Sequence, residues 1–259
     1  MATSMPMFWV GGAPGSGKST TVRHLSRELD LALHPIDAYT YDHLERLGAI
    51  GPSLDEALAL GATMAADDFE RVAALRLPAV MDDVRTAQVA GVPTLVEGPQ
   101  LHPRAAARWS PIGAIWLITT AERTRMARRE RLVAGDDAAR RRVEALVERD
   151  QVIGARLRSA ASDAGRAVIE VPTNVDWSDV VTAVRGAVIT ATAPFARLRP
   201  GRELTLRRRH ENDVVHRQIV AHERHIGAAL SPFPYACICG RSGCTDTIAA
   251  TSAEYRADG

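Results

Sequence analysis

The chain has 259 residues, 46% hydrophobic and 24% charged, with 32 basic against 31 acidic side chains and a formal net charge of +1. These proportions exclude wholesale disorder and fibrous repeats, and near-neutrality argues against a general nucleic-acid binder. No apolar run approaches the roughly 18 residues needed to span a bilayer, and Met1 to Met7 lacks the charged start and long apolar stretch of an export signal, so a soluble cytoplasmic protein is expected.

Phe8-Trp9-Val10 ends in Gly11-Gly12, which predicts a buried strand feeding a tight turn. After Lys18, Val22, Leu25 and Leu29 recur at helical spacing. A second strand is expected at Leu33 to Ile36. Residues 39–91 read as helical, punctuated by Gly48, Gly51-Pro52, Gly61 and Pro78, with Met64 and Phe69 assigned to the core. Thr94 to Val96 predicts a third strand and Ala114 to Ile118 a fourth. Thr119, with Glu122 three residues on, has the spacing of a capping box. An arginine-rich helical region follows to about Ala161, with Gly135-Asp136-Asp137 as a hinge or turn. Ala167 to Val171 is a fifth strand, and Trp177 to Ile189 a closing helix. Strands alternating with helices imply an α/β fold with a parallel sheet.

Beyond Thr190 the pattern changes. Pro194 and Pro200 interrupt any period, and Arg197, Arg199, Arg202 and Arg207-Arg208-Arg209 make a basic run, read as a solvated linker. The division is therefore 1–192, a basic linker at 193–209, and a small module at 210–259. In that module a helix over about 211–230 carries Val215, Ile219, Ile226 and Leu230 at core spacing, with His222 on the same stripe.

One count stands out. Lys18 is the only lysine, the other 31 basic residues being arginines. It lies in Gly12-Ala13-Pro14-Gly15-Ser16-Gly17-Lys18-Ser19, which matches G-x-x-x-x-G-K-[ST] in full, directly after a predicted strand and opening a predicted helix. Glycines at that spacing let backbone N–H groups converge on phosphate oxygens, and the helix N-terminus adds its positive end. A compact ammonium suits the position better than a broad guanidinium fork. Gly12, Ala13, Pro14, Gly15, Ser16, Gly17, Lys18, Ser19 and Thr20 are thus the candidate nucleotide-binding residues.

On these residues the chain, over roughly 7–190, resembles the P-loop NTPases, and among them the small P-loop kinases. The resemblance implies a five-stranded parallel core flanked by helices, ATP with Mg²⁺, and an arginine-bearing lid. Lys18 would reach the β- and γ-phosphates and the Ser19 hydroxyl would ligate Mg²⁺. Asp37 after the second strand and Glu97 after the third fall on the sheet edge that binds ligands in open α/β folds. Asp37 is assigned as the base acting on an acceptor hydroxyl, and is also named with Ser19 as a Mg²⁺ group. Glu97 is the metal or water partner. Arg125, Arg128 and Arg129 share one helical face and are the candidates to stabilise a transferring phosphoryl group. Pro172-Thr173-Asn174 is where relatives cradle the base.

The expected activity is phosphoryl transfer from ATP to a hydroxyl of a small molecule. In the insertion, Arg46, Arg71, Arg76 and Arg85 would suit a nucleoside monophosphate, whereas Asp67-Asp68 and Asp82-Asp83 would suit a cationic amino sugar, so the acceptor stays open. Two other readings stand beside this one. One is a non-catalytic nucleotide-binding switch; the other is a polynucleotide 5′-hydroxyl kinase using the arginine run.

Cys237, Cys239 and Cys244 are the three cysteines of the chain. An odd count disfavours a disulfide framework, and their tight spacing with Gly240 and Gly243 suits Zn²⁺, which needs a fourth ligand; His210, His216, His222 and His225 are the local choices. Tyr235 to Thr245, with Ala253-Glu254-Tyr255, resembles a small module widespread in actinobacteria. This chain carries Ile238 where that module usually has Glu, and lacks its downstream Pro-Gly-His.

Overall fold

The computed structural model describes residues 5–48, 53–129 and 137–255. Five strands, β1 (Met7–Gly12), β2 (Ala32–Pro35), β3 (Thr94–Glu97), β4 (Gly113–Thr119) and β5 (Ala167–Val171), form one sheet in the order β2-β3-β1-β4-β5, every pairing parallel. Parallel neighbours need crossovers, and helices supply them. The α/β architecture read from the alternating pattern is therefore observed.

Alternation along β1 divides the core. Phe8 and Val10 pack on one side of the sheet with Val22 and Leu25 of α1 (Lys18–Glu28) and Val180 and Val184 of α8 (Trp177–Thr192). Met7 and Trp9 pack on the other with Leu77 and Val80 of α4 (Ala62–Thr86) and Ile153 and Leu157 of α7 (Asp137–Asp163). Successive strand side chains point to opposite faces, so burial on both makes the run continuously apolar. The insertion between β2 and β3 holds α2 (Thr40–Leu47), α3 (Leu54–Ala59) and α4. Its capping box is Ser53 with Glu56, each side chain meeting the other's backbone N–H.

Several expectations are corrected. Thr119 is no cap: it ends β4, buried, and its hydroxyl pairs with that of Thr124 at 2.7 Å. Thr120 instead accepts from Arg123 N at 3.2 Å, opening α6 (Ala121–Arg129). Met64 is exposed rather than core. Gly51-Pro52 and Gly135-Asp136 lie outside the described residues.

The largest correction concerns the basic run. Helix α9 spans Arg202–Ile226, beginning well before residue 211. Its buried stripe holds Leu204, Arg207, Arg208, Glu211, Asn212 and Val214, while Ile226 is exposed. Arg207 and Arg208 are not solvated linker residues. Arg207 Nη2 donates to Leu33 O at 2.8 Å, Arg208 Nη1 donates to Leu31 O at 3.1 Å, and Glu211 Oε1 accepts from Leu33 N at 2.8 Å. Both guanidiniums also bond Glu211, at 2.8 and 2.7 Å. Strand β2 is an edge strand with unpaired backbone groups, and α9 satisfies them with side chains in place of a sixth strand. Periodicity of apolar residues cannot reveal a helix whose buried face is ionic.

After α9, β6 (Phe233–Ala236) and β7 (Thr247–Ala250) form an antiparallel hairpin. Asn212 pins it, donating to Ala236 O and accepting from Ala236 N, both at 2.9 Å. Among the described residues no helix is long and apolar enough to cross a membrane.

Candidate phosphate site and thiol cluster

All five strands are parallel, so their carboxyl ends share one edge, and the register aligns them: Val10 and Pro35 both pair with Glu97. The loop after β1, Asp37 after β2 and Glu97 therefore converge. A cavity of about 510 Å³ opens there, walled by Pro14, Gly15, Gly17, Lys18, Ser19, Thr20, Arg23, Asp37, Glu97, Pro99, Arg123, Ala127, Arg128 and Trp177.

Two glycines shape the cradle. At Gly12, φ is +135°, and a Cβ would fall 2.2 Å from Leu117 O. At Gly17, φ is +77°, and a Cβ would fall 2.1 Å from the Trp177 ring. Only glycine meets both the left-handed conformation and the close approach. Helix α1 begins at Lys18, so the unpaired amides of its first turn open on the cavity. Lys18 is nearly buried, with Nζ 3.5 Å from Ala13 O.

The acids differ in environment. Asp37 is exposed in a 3₁₀ turn (Ile36–Tyr39), and Gln100 Nε2 donates to its Oδ1 at 3.0 Å. Glu97 is buried, and its Oε2 has no partner. Burial pushes the Glu97 carboxyl above its ordinary range; the Lys18 ammonium opposes that, Asp37 adds to it, and a Ser19 hydrogen bond opposes it. Ser16 Oγ is likewise buried without a partner. Orphaned polar atoms around a cationic, amide-lined loop fit a polyanion with its counter-cation.

The expected residues are distributed as follows. Of the loop, Pro14, Gly15, Gly17, Lys18, Ser19 and Thr20 line the cavity, and Gly12, Ala13 and Ser16 are not among the lining residues. Arg128 lines it too, held by Asp150 Oδ2 at 2.6 Å. Arg125 and Arg129 are both paired with Glu144 of α7, at 2.8 and 3.2 Å, and are not among the lining residues. Thr173 bonds Thr120 at 2.8 Å, also off the cavity wall. The sequence reading missed Arg23, Arg123, Gln100 and Trp177. Arg123 stacks over the Trp177 ring at 5.1 Å, and both line the cavity with Lys18. Trp177 carried no motif, only the opening of a helix.

The arginines of the insertion are committed to neighbours. Arg46 bonds Asp83 at 2.7 Å and Asp42 at 3.1 Å, Arg71 bonds Asp68, and Arg85 bonds Asp82. Arg76 is buried against His43 Nδ1 at 3.1 Å.

In the β6–β7 connection, Cys237, Cys239 and Cys244 bring their sulfurs within 4.8 Å of one another. No histidine joins that group among the described residues: His216 packs at a tilt against Tyr255, and His222 meets the Tyr41 hydroxyl at 2.8 Å. Arg241 Nε donates to Cys239 Sγ at 3.5 Å, and that contact first, with the neighbouring thiols, pushes the Cys239 thiol down to about 6. Burial pushes Cys244 up to about 11. Three sulfurs at this spacing supply three of the four ligands of a tetrahedral zinc site.

No protein-family model matches the chain, and no curated protein matches it. Among solved structures it is similar to a sugar kinase from Janibacter sp. HTCC2649, solved unliganded, at 15% identity over 73% of this chain and 97% of that one, with a TM-score of 0.38. A likeness of that degree has no bearing on what the cavity binds.

Proposed function

We propose that the chain is an ATP-dependent phosphotransferase of the P-loop kinase type, acting on a hydroxyl of a small molecule. The observation that carries the reading is the meeting of Lys18, on its glycine loop, with Glu97 and Asp37 across one cavity. The loop amides and Lys18 would hold the β- and γ-phosphates of ATP, with Ser19 and Glu97 as the adjacent pair for Mg²⁺. The metal, when bound, neutralises charge on the phosphate oxygens. Its charge would also compensate the buried Glu97 carboxylate, whose free oxygen otherwise has no partner.

Asp37 is the base. Gln100 occupies one of its oxygens and leaves the other for the acceptor hydroxyl. Arg128 and Arg123, both on the cavity wall, would stabilise charge on the transferring group. Catalysis is then positioning and electrostatics rather than covalent chemistry.

Lys18→Ala tests the reading. ATP turnover should fall at least ~100-fold, the scale of losing one electrostatic stabiliser, with the circular dichroism spectrum unchanged. Equal turnover in the variant would overturn it. Nucleotide binding with turnover that no acceptor accelerates would favour the switch reading instead.

A further inference from the structure

A second cavity, of about 310 Å³, adjoins the first. Pro99 borders both, and Gln100 lines the second while donating to Asp37 at 3.0 Å. Its walls come from α4, α5 (Ala106–Trp109), α7 and the segment after β3. Phe69, Leu77, Trp109, Ile153 and Leu157 make it mainly apolar. Both size and lining suit an enclosed organic ligand rather than a hydrated sugar.

Besides Gln100, Arg104 and Arg108, three polar features interrupt that wall. Pro78 lies inside α4 and has no N–H, so the carbonyl of Ala74, four residues earlier, is released from the helical ladder. Ala74 and Pro78 both line the cavity and are exposed to it. His102 Nδ1 accepts from Arg104 N at 3.3 Å, and burial pushes the ring's pKa down. A neutral imidazole whose Nδ1 accepts carries its proton on Nε2, which is then a donor. Glu70 gives Oε2 to Arg156 at 3.2 Å, while its Oε1 has no protein partner. The arginines of the β2–β3 insertion line none of this cavity. Arg104 and Arg108 do, exposed, with the Arg108 guanidinium 5.1 Å over the Trp109 ring.

We propose that this second cavity is the acceptor site, and that it takes an uncharged amphiphilic alcohol whose apolar body of aromatic size lies between Phe69 and Trp109 and whose hydroxyl reaches past Pro99 to Asp37. The inference rests on the phosphotransfer reading. The acceptor oxygen forms the new O–P bond as the bond from the γ-phosphorus to the β,γ-bridging oxygen breaks. ADP leaves with that electron pair, and Asp37 takes the hydroxyl proton. The released carbonyl of Ala74 and the His102 Nε2–H give one acceptor and one donor to orient the alcohol's remaining polar groups.

The test uses 2-(1-naphthyl)ethanol, glucose and AMP as acceptors, a fluorescent ATP analogue for donor binding, and Ala74→Trp, which fills the cavity from an exposed wall position. Wild type should show saturation transfer to the naphthyl alcohol by NMR and should phosphorylate it in preference to glucose and AMP. Ala74→Trp should abolish the transfer and weaken use of the alcohol at least ~10-fold, leaving analogue affinity within about twofold. Trp109→Ala, a cavity-enlarging change, should weaken the same alcohol without altering analogue binding. Absence of saturation transfer in wild type, transfer unchanged by Ala74→Trp, or preference for glucose or AMP overturns the inference. Failure of wild type to bind the ATP analogue overturns the phosphotransfer reading itself.

Discussion

Gln100 donates its amide hydrogen to one oxygen of Asp37 at 3.0 Å, and does so from a buried position between two cavities. The residue that fixes the proposed base is thus shared with the wall of the proposed acceptor site. Gln100→Leu should lower kcat roughly tenfold, the order expected when a catalytic group loses its orientation, while leaving the KM for ATP unchanged. Gln100→Asn, which retains the donor, should recover part of that loss. Initial-rate kinetics with a saturating acceptor measure both; a changed ATP KM with unaltered kcat would show that Gln100 serves the donor side instead.

Glu97 sets stability against function. Burial raises its carboxyl above the ordinary range, so between the unfolded and folded values the native state binds more protons than the unfolded one. Its stabilising protonated form is present at low pH and lost as pH rises through the raised value. Glu97→Gln should therefore raise the melting temperature of the ligand-free protein at neutral pH, by roughly 2–4 °C for each ~1 kcal/mol relieved, with the gain vanishing in acid. The same variant should weaken Mg²⁺-dependent nucleotide binding. Calorimetric melts between acid and neutral pH check the sign; a variant less stable than wild type at neutral pH would contradict it.

The ionic cluster under β2 should matter most for folding. Burial alone would raise the Glu211 carboxyl; the Arg208 and Arg207 guanidiniums outweigh that and hold it low. Glu211→Ala would leave two buried guanidiniums without their carboxylate and should cost ~3–5 kcal/mol. Urea unfolding reads this directly, and a loss under about 1 kcal/mol would mean that the β2 edge is held by something else.

The thiol cluster offers a chemical readout. Cys239, lowered to about 6 beside Arg241, should react first with iodoacetamide, and Cys244, raised to about 11, last. One equivalent of Zn²⁺ should suppress alkylation of all three cysteines and a chelator should restore it. Mass spectrometry of the alkylated chain follows each site. Alkylation indifferent to zinc would leave the cluster as ordinary free thiols.

The five strands and the glycine loop proposed to hold phosphate were legible in the residues themselves. Buried parallel strands are short apolar runs between breakers, and a backbone that must pass through left-handed positions beside an anion needs glycines and one compact cation at fixed spacing. Asp37 and Glu97 could be found because parallel strands bring their carboxyl ends together whatever lies between.

What required the third dimension was partnership. Nothing local distinguishes Arg128, on the cavity wall, from Arg125, bound to Glu144; the difference is which residue of α7 each one faces. Arg207 and Arg208 read as solvated because charge is ordinarily exposed, yet the free edge of β2, over 170 residues away, makes their burial favourable. The proximity of Trp177 to Gly17 likewise joins the segment after edge strand β5 to the loop after central strand β1, far apart in the sequence. Sequence thus determined the local conformations, which depend on neighbours within a few residues. Tertiary structure decided which charges are paired and which face the cavity, because those energies depend on distances the linear order does not contain.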